Sequence, residues 1–211
     1  MRALICIHGL LSCKADFSFY CQTLKNYYDM IANYDLPGHG ENKMKFNSNN
    51  IKKFIVDVYD SLAHKYETID VIGYSMGGVI ACYLQSVRPV NRLVLLAPAY
   101  RYLNLKNYHF KSTGSSGNSA ISQVLPKKNY LHIFRFAKII SDLSDEFKII
   151  YPKTLIIWGK DDYLVKEESG YLLYKMVRNT NRQFIKLANH NHFNIVFSNV
   201  VLNIVNNFLN E

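Results

Sequence analysis

Apolar residues along the chain gather into short continuous runs separated by longer segments in which they recur every three or four positions. The runs predict strands at 3–8, 29–34, 69–74, 92–97, 154–159 and 182–187. Most do not alternate with polar residues, the pattern expected of strands whose two sheet faces are both covered. Over 49–66, Ile51, Phe54, Ile55, Val58 and Leu62 fall on one helical stripe, with Lys52, Lys53 and Asp57 off it. Val196, Val200, Ile204 and Phe208 repeat in the same way over 194–209. Strands and helices that alternate through the whole chain predict an α/β domain, with helices on both faces of a mainly parallel sheet.

One segment breaks the alternation. Residues 99–150 separate the fourth and fifth strands and exceed an ordinary crossover. The segment holds in its first part a Ser/Gly-rich stretch at 112–119, expected to be flexible, and a helical pattern follows from Tyr130 to Ile150. It is expected to be a lid insertion over one end of the sheet, within a single domain spanning 1–211.

Composition changes this picture only a little. Among 211 residues, 49% are apolar and the formal charge is +9. The apolar share excludes disorder. The charge invites nucleic acid or an anionic membrane as partners, but no nucleic-acid recognition motif accompanies it. Membrane contact is expected only through the insertion, where Arg101-Tyr102-Leu103 and Lys127-Lys128-Asn129-Tyr130 interleave basic and apolar residues. No run approaches the length of a membrane span, and His8-Gly9 interrupts the first apolar run before it resembles a leader. Cys6, Cys13, Cys21 and Cys82 include no Cys-x-x-Cys pair, so reduced thiols in a cytoplasmic protein are expected, with no metal site and no disulfide frame.

The chemistry begins where the third strand ends. Gly73-Tyr74-Ser75-Met76-Gly77 is a Gly-x-Ser-x-Gly sequence between a strand and a helix. A serine on so tight a turn is lifted clear of the sheet, and small residues two before and two after allow the close backbone packing the turn needs. A serine hydroxyl is a poor nucleophile and needs a base and an orienting carboxylate. Both are expected at the carboxyl ends of later strands. Strand five offers Asp161 and Asp162 there, and strand six offers His190 and His192.

With these motifs the chain resembles the α/β-hydrolase superfamily, most closely its compact bacterial carboxylesterase and monoacylglycerol-lipase-like members. The likeness rests on Ile7-His8-Gly9-Leu10, Tyr34-Asp35-Leu36-Pro37-Gly38-His39-Gly40, the Ser75 motif, Trp158-Gly159 with Asp162, and His192-Phe193 before the closing helix. The resemblance implies Ser75 as nucleophile, Asp162 as the acid and His192 as the base, with His190 as the alternative base. It implies backbone N–H groups of Leu10 and Met76 as the oxyanion hole, structural roles for His8 and His39, and no cofactor. Larger members carry two further strands ahead of the first one here, so six strands are expected and the edge left uncovered could pair with a second copy in a homodimer. The implied activity is hydrolysis of small-molecule esters, of short-to-medium acyl chains or monoacylglycerols, through an acyl-enzyme. A thioesterase, an acyltransferase or a lipase acting at a lipid surface would use the same three residues. The insertion is expected to wall the substrate pocket with apolar side chains, among them Tyr100, Tyr102, Leu103, Tyr108, Phe110, Leu131, Phe134 and Phe136.

Overall fold

The computed structural model describes residues 1–101 and 130–211. Its strands are β1 (Arg2–Ile7), β2 (Met30–Asn33), β3 (Thr68–Tyr74), β4 (Arg92–Leu96), β5 (Lys153–Gly159) and β6 (Arg182–Leu187). They form one sheet in the order β2-β1-β3-β4-β5-β6, every pairing parallel. Each lies within two residues of its predicted run.

The helices are α1 (Ser18–Leu24), α2 (Ser48–Ala63), α3 (Met76–Val87), α4 (Tyr130–Ser144), α5 (Glu168–Met176) and α6 (Asn199–Asn210). Alternation along the strands divides the core in two. Ala3, Ile5 and Ile7 of β1, with Leu93 and Leu95 of β4, face a cluster completed by α2, α3, α4 and α5. Leu4, Cys6, Val94 and Leu96 point the other way, onto α1 and α6. Both faces of β1, β4 and β5 are therefore dry, which explains why those strands read as unbroken apolar runs.

The predicted stripe of α2 buries Ile51, Ile55 and Leu62 against α3 and the sheet, each burial contributing about 1.5–3 kcal/mol. Asn47 caps the helix by accepting the Asn50 N–H at 2.9 Å. The helical half of the long segment is α4, and it belongs to the layer of α2 and α3. Phe136, Ile139, Ile140 and Leu143 enter that core, and Ser48 Oγ donates to Asp142 at 2.6 Å. Tyr100 and Phe136, expected in a pocket wall, are instead core residues, with Tyr100 packed on Phe147. Tyr102, Leu103, Tyr108 and Phe110 lie outside the described residues, as do the lid expectation for 102–129 and the side chains of Leu131 and Phe134. No helix among the described residues is long and apolar enough to cross a membrane.

Two features organise the ends of the sheet. At the amino end, Asp70 is fully buried and accepts hydrogen bonds from Arg2 Nη2 (3.0 Å), Tyr28 Oη (2.6 Å), Asn91 Nδ2 (2.7 Å) and Arg92 N (3.0 Å). Arg2 also donates to the Leu209 carbonyl at 2.7 Å, so this cluster joins β1, β3, β4 and α6. At the carboxyl end, β1 leads outward through α1 to β2, whereas β3 leads through α3 to β4 on the other side. The connections diverge between β1 and β3. Such a divergence opens a crevice above the strand ends, where ligands bind in open α/β sheets.

Candidate active site

Ser75 stands at this divergence, between the last residue of β3 and the first of α3. Its backbone is left-handed, φ 54° and ψ −117°, a conformation that costs a non-glycine residue roughly 1–3 kcal/mol. The surroundings enforce it. Ser75 N donates to the Leu96 carbonyl at 2.9 Å, and the Ser75 carbonyl accepts from Gly78 N and Ala99 N at 3.0 Å each. The glycines are required by space. A Cβ on Gly77 would collide with the Ile7 carbonyl oxygen, and one on Gly73 with the Gly77 carbonyl oxygen.

The structure brings three of the expected site residues into one hydrogen-bonded chain. His192 Nε2 lies 2.9 Å from Ser75 Oγ, and His192 Nδ1 lies 2.7 Å from Asp162 Oδ2. The Asp162 side chain is fully buried, and its other oxygen accepts the N–H groups of Leu164 (3.0 Å) and Val165 (2.9 Å). Those two donors fix the carboxylate so that a single oxygen faces the imidazole. Tyr74 Oη donates to the His192 carbonyl at 2.8 Å, and its ring packs on the imidazole at 5.6 Å. Sequence reasoning missed this support, although Tyr74 is the first of the two variable residues within the Gly-x-Ser-x-Gly motif.

His190 is placed otherwise. Its Nδ1 lies 2.8 Å from the Ala188 carbonyl and its Nε2 2.8 Å from Ser198 Oγ, the N-cap of α6. Nδ1 donates to the carbonyl, the neutral ring then accepts the serine hydroxyl on Nε2, and the two contacts tie the loop to the helix. Asp161 is exposed and does not join the chain; its N–H donates to the His190 carbonyl at 2.9 Å.

The sequence and the fold both have counterparts among known proteins. Residues 4–135 match the model of the alpha/beta hydrolase family. The chain belongs to that family. An uncharacterized hydrolase of Bacillus subtilis, YugF, is 31% identical over 223 residues, covering 85% of this chain and 80% of its own. A probable alcohol acetyltransferase of Cyberlindnera fabianii is 35% identical over 79 residues, 36% of this chain and only 21% of that protein. Among solved structures, one from work on the metagenome-derived lipolytic enzymes LipS and LipT aligns with a TM-score of 0.81 at 17% identity, covering 99% of this chain and 93% of that chain. The monoacylglycerol lipase of Paleococcus ferrophilus aligns at 0.72 with 16% identity, covering 98% and 94%.

Around the hydrolase serine, the loop after β1 passes close by: a Cβ on Gly9 would stand 3.3 Å from Ser75 Cβ. Leu10 follows at once. Met76 is the first residue of α3, where an N–H has no acceptor within its own helix. Both amides therefore lie on elements that border the serine. His8 is fully buried, accepts the Leu36 N–H on Nε2 at 3.0 Å, and faces the Gly9 carbonyl through Nδ1 at 2.8 Å. Burial, reinforced by the neighbouring His39, lowers its pKa to about 4, so the ring is neutral and joins the loops after β1 and β2. His39 packs edge-on to both His8 and Phe46 and lies 3.1 Å from the Pro37 carbonyl. Ser169, which carried no sequence signal, fixes the chain where it leaves β4. Its hydroxyl donates to the Pro98 carbonyl and accepts from the N–H groups of Tyr100 and Arg101. Among the described residues no cluster of His, Cys, Asp and Glu is arranged to hold a metal ion.

Proposed function

We propose that this hydrolase cleaves carboxylic esters through an acyl-enzyme on Ser75. The observation that carries the reading is the continuous chain from Asp162 through His192 to a serine held in a left-handed turn. Ser75 Oγ attacks the ester carbonyl while its proton passes to His192 Nε2, and Asp162 steadies the imidazolium that forms. The tetrahedral oxyanion is received by the N–H groups of Met76 and Leu10, where each donor is worth about 10²–10³ in rate. On collapse the imidazolium returns its proton to the departing alcohol. Water, activated by the same imidazole, then attacks the acyl-enzyme, releases the carboxylic acid and restores Ser75.

The substrate class is a short-to-medium acyl ester or a monoacylglycerol. Tyr163 and Phe193 support this reading, because each directly follows one of the site residues and exposes an aromatic ring, the two 6.4 Å apart. Such rings suit an apolar acyl or alcohol moiety better than a charged one. The partial likeness to an alcohol acetyltransferase favours one second reading, transfer of the acyl group to an alcohol instead of water.

Fluorophosphonate labelling with mass-spectrometric site mapping tests the assignment. The label is expected on Ser75, abolished in Ser75→Ala, strongly slowed in His192→Ala and retained in His190→Ala. Labelling that persists in Ser75→Ala overturns the nucleophile. A p-nitrophenyl ester series read with and without added ethanol then separates hydrolysis from alcohol transfer.

A further inference from the structure

The loop that carries Leu10 contains a second strained residue. Leu11 has φ 58°, a left-handed conformation that a leucine adopts only when its neighbours hold it there. The loop is anchored at both ends. Gly9 packs on Tyr74 and Ser75, and farther along Lys14 N donates to Asp35 Oδ1 at 2.7 Å while Asn33 Nδ2 donates to the Lys14 carbonyl at 2.9 Å. Between these anchors stands one side-chain tie: Ser12 Oγ donates to Asp16 Oδ2 at 2.5 Å. Asp16 lies in the turn of 3-10 helix at Lys14–Phe17, held by its own N–H on the Cys13 carbonyl at 3.1 Å.

The carboxylate is unusual in its setting. Asp16 is only 5% exposed, and among the described residues no cation pairs with it. Asp70 meets four donors including an arginine, and Asp35 meets two backbone N–H groups and Lys14. Burial raises the Asp16 carboxyl to about 6, and among the described residues the Ser12 hydroxyl alone opposes it. A buried carboxylate with a single hydroxyl partner is an expensive way to stabilise a fold. Its partner is the residue directly after the strained Leu11, two positions from the amide assigned to the oxyanion.

We propose that Asp16 is a positioning residue: through Ser12 it holds the left-handed turn at Leu11 and so keeps the Leu10 N–H aimed at the carbonyl oxygen of the substrate. The inference rests on the ester-hydrolase reading above and adds a residue to it. Asp16 touches no reacting atom. Its influence is therefore on the transition state, where the oxyanion exists, and not on ground-state binding.

The test compares Ser12→Ala, Asp16→Ala, the double variant and Asp16→Asn in p-nitrophenyl acetate hydrolysis, together with inhibition by an alkyl trifluoromethyl ketone, which forms an oxyanion on the serine. Each alanine variant is expected to lose about 10–100-fold in kcat with KM within about twofold of wild type. The ketone inhibition constant should rise by a similar factor. The double variant should be no worse than the singles, because both remove one tie. Asp16→Asn keeps an acceptor for Ser12 and should recover to within about threefold of wild type. Ser12 lies in a half-buried loop, so its variant remains informative if Asp16→Ala fails to fold. Unchanged kcat and inhibition constant in Ser12→Ala, or a rise in KM alone, overturns the proposal while wild-type Ser75 still takes the fluorophosphonate. Absence of that label in wild type overturns the ester-hydrolase reading and this inference together.

Discussion

Replacing Asp162 by Asn changes one atom of the buried side chain, and the geometry dictates how the amide must sit. Oδ1 accepts two backbone N–H groups, from Leu164 and Val165, while Oδ2 alone faces His192 Nδ1 at 2.7 Å. In Asp162→Asn the amide oxygen must take the position opposite the two N–H donors, because the reverse orientation would set NH2 against both. The NH2 group is then directed at His192 Nδ1, which can receive it only by giving up its own proton. The imidazole is left with hydrogen on Nε2, the atom 2.9 Å from Ser75 Oγ. That tautomer can donate to the serine but cannot take its proton. A triad with the wrong tautomer loses about 10⁴ in kcat, which at 1.36 kcal/mol per tenfold is about 5 kcal/mol of transition-state stabilisation. The number of hydrogen bonds is preserved, so the melting temperature should stay close to that of wild type. Turnover of p-nitrophenyl acetate at neutral pH and the rate of Ser75 labelling should fall together. A loss smaller than about tenfold would refute the assigned role of the carboxylate and the tautomer argument with it.

The amino end of the sheet gives a prediction of the opposite kind. Asp70→Ala leaves Arg2, Tyr28 and Asn91 without their shared acceptor; breaking a buried pair costs about 3–5 kcal/mol, which sets the ceiling here because 32% of the Arg2 side chain is open to solvent. For a chain of this size that is about 6–20 °C in Tm. Activity measured well below the transition should be unchanged, since five residues of strand, about 16 Å, separate Asp70 from Ser75; a fall in kcat at low temperature would contradict this separation. His8 predicts an acid dependence. Its folded pKa, lowered to about 4, lies below the ordinary value of 6.5, so the unfolded chain takes up its proton first as pH falls. The stability contributed by the neutral, buried ring is complete above pH 6.5 and declines between pH 6.5 and 4, by up to about 3 kcal/mol. Urea unfolding midpoints of wild type and His8→Asn across that range should therefore converge toward low pH, and parallel curves would refute the shift.

Sequence pattern located β4 and β5 because burial on both faces leaves their interiors without charged residues, whereas β3 carries the buried Asp70 and β6 is largely open to solvent. It located Ser75 because the close approaches at Gly73 and Gly77 admit only glycine, and that restriction is written in residue types. The choice between neighbouring candidates came from resemblance, since Asp161 and Asp162 have the same chemistry and differ only in which one the Leu164 and Val165 amides orient. His190 and His192 differ likewise by the hydroxyl each ring meets, Ser198 or Ser75. The tie between Ser12 and Asp16 was not legible, because nothing in a Ser-x-x-x-Asp spacing states that the carboxylate is buried. The apolarity of Tyr100 and Phe136 suits a pocket wall and a core equally, because it does not say which apolar region a side chain enters. The packing of α4 on α2 and α3 decides that.

The placement of Asp70 and its partners at one end of the sheet, with Ser75, Asp162 and His192 at the other, has a consequence for how such a protein can change. Residues this far apart with no shared partner combine their mutational effects nearly additively. Tolerance to heat can therefore be adjusted around Arg2, Tyr28 and Asn91 without retuning turnover. The loops at the carboxyl end can diversify while the opposite end keeps the sheet assembled. The scaffold keeps the changes that set its stability apart from those that set its chemistry.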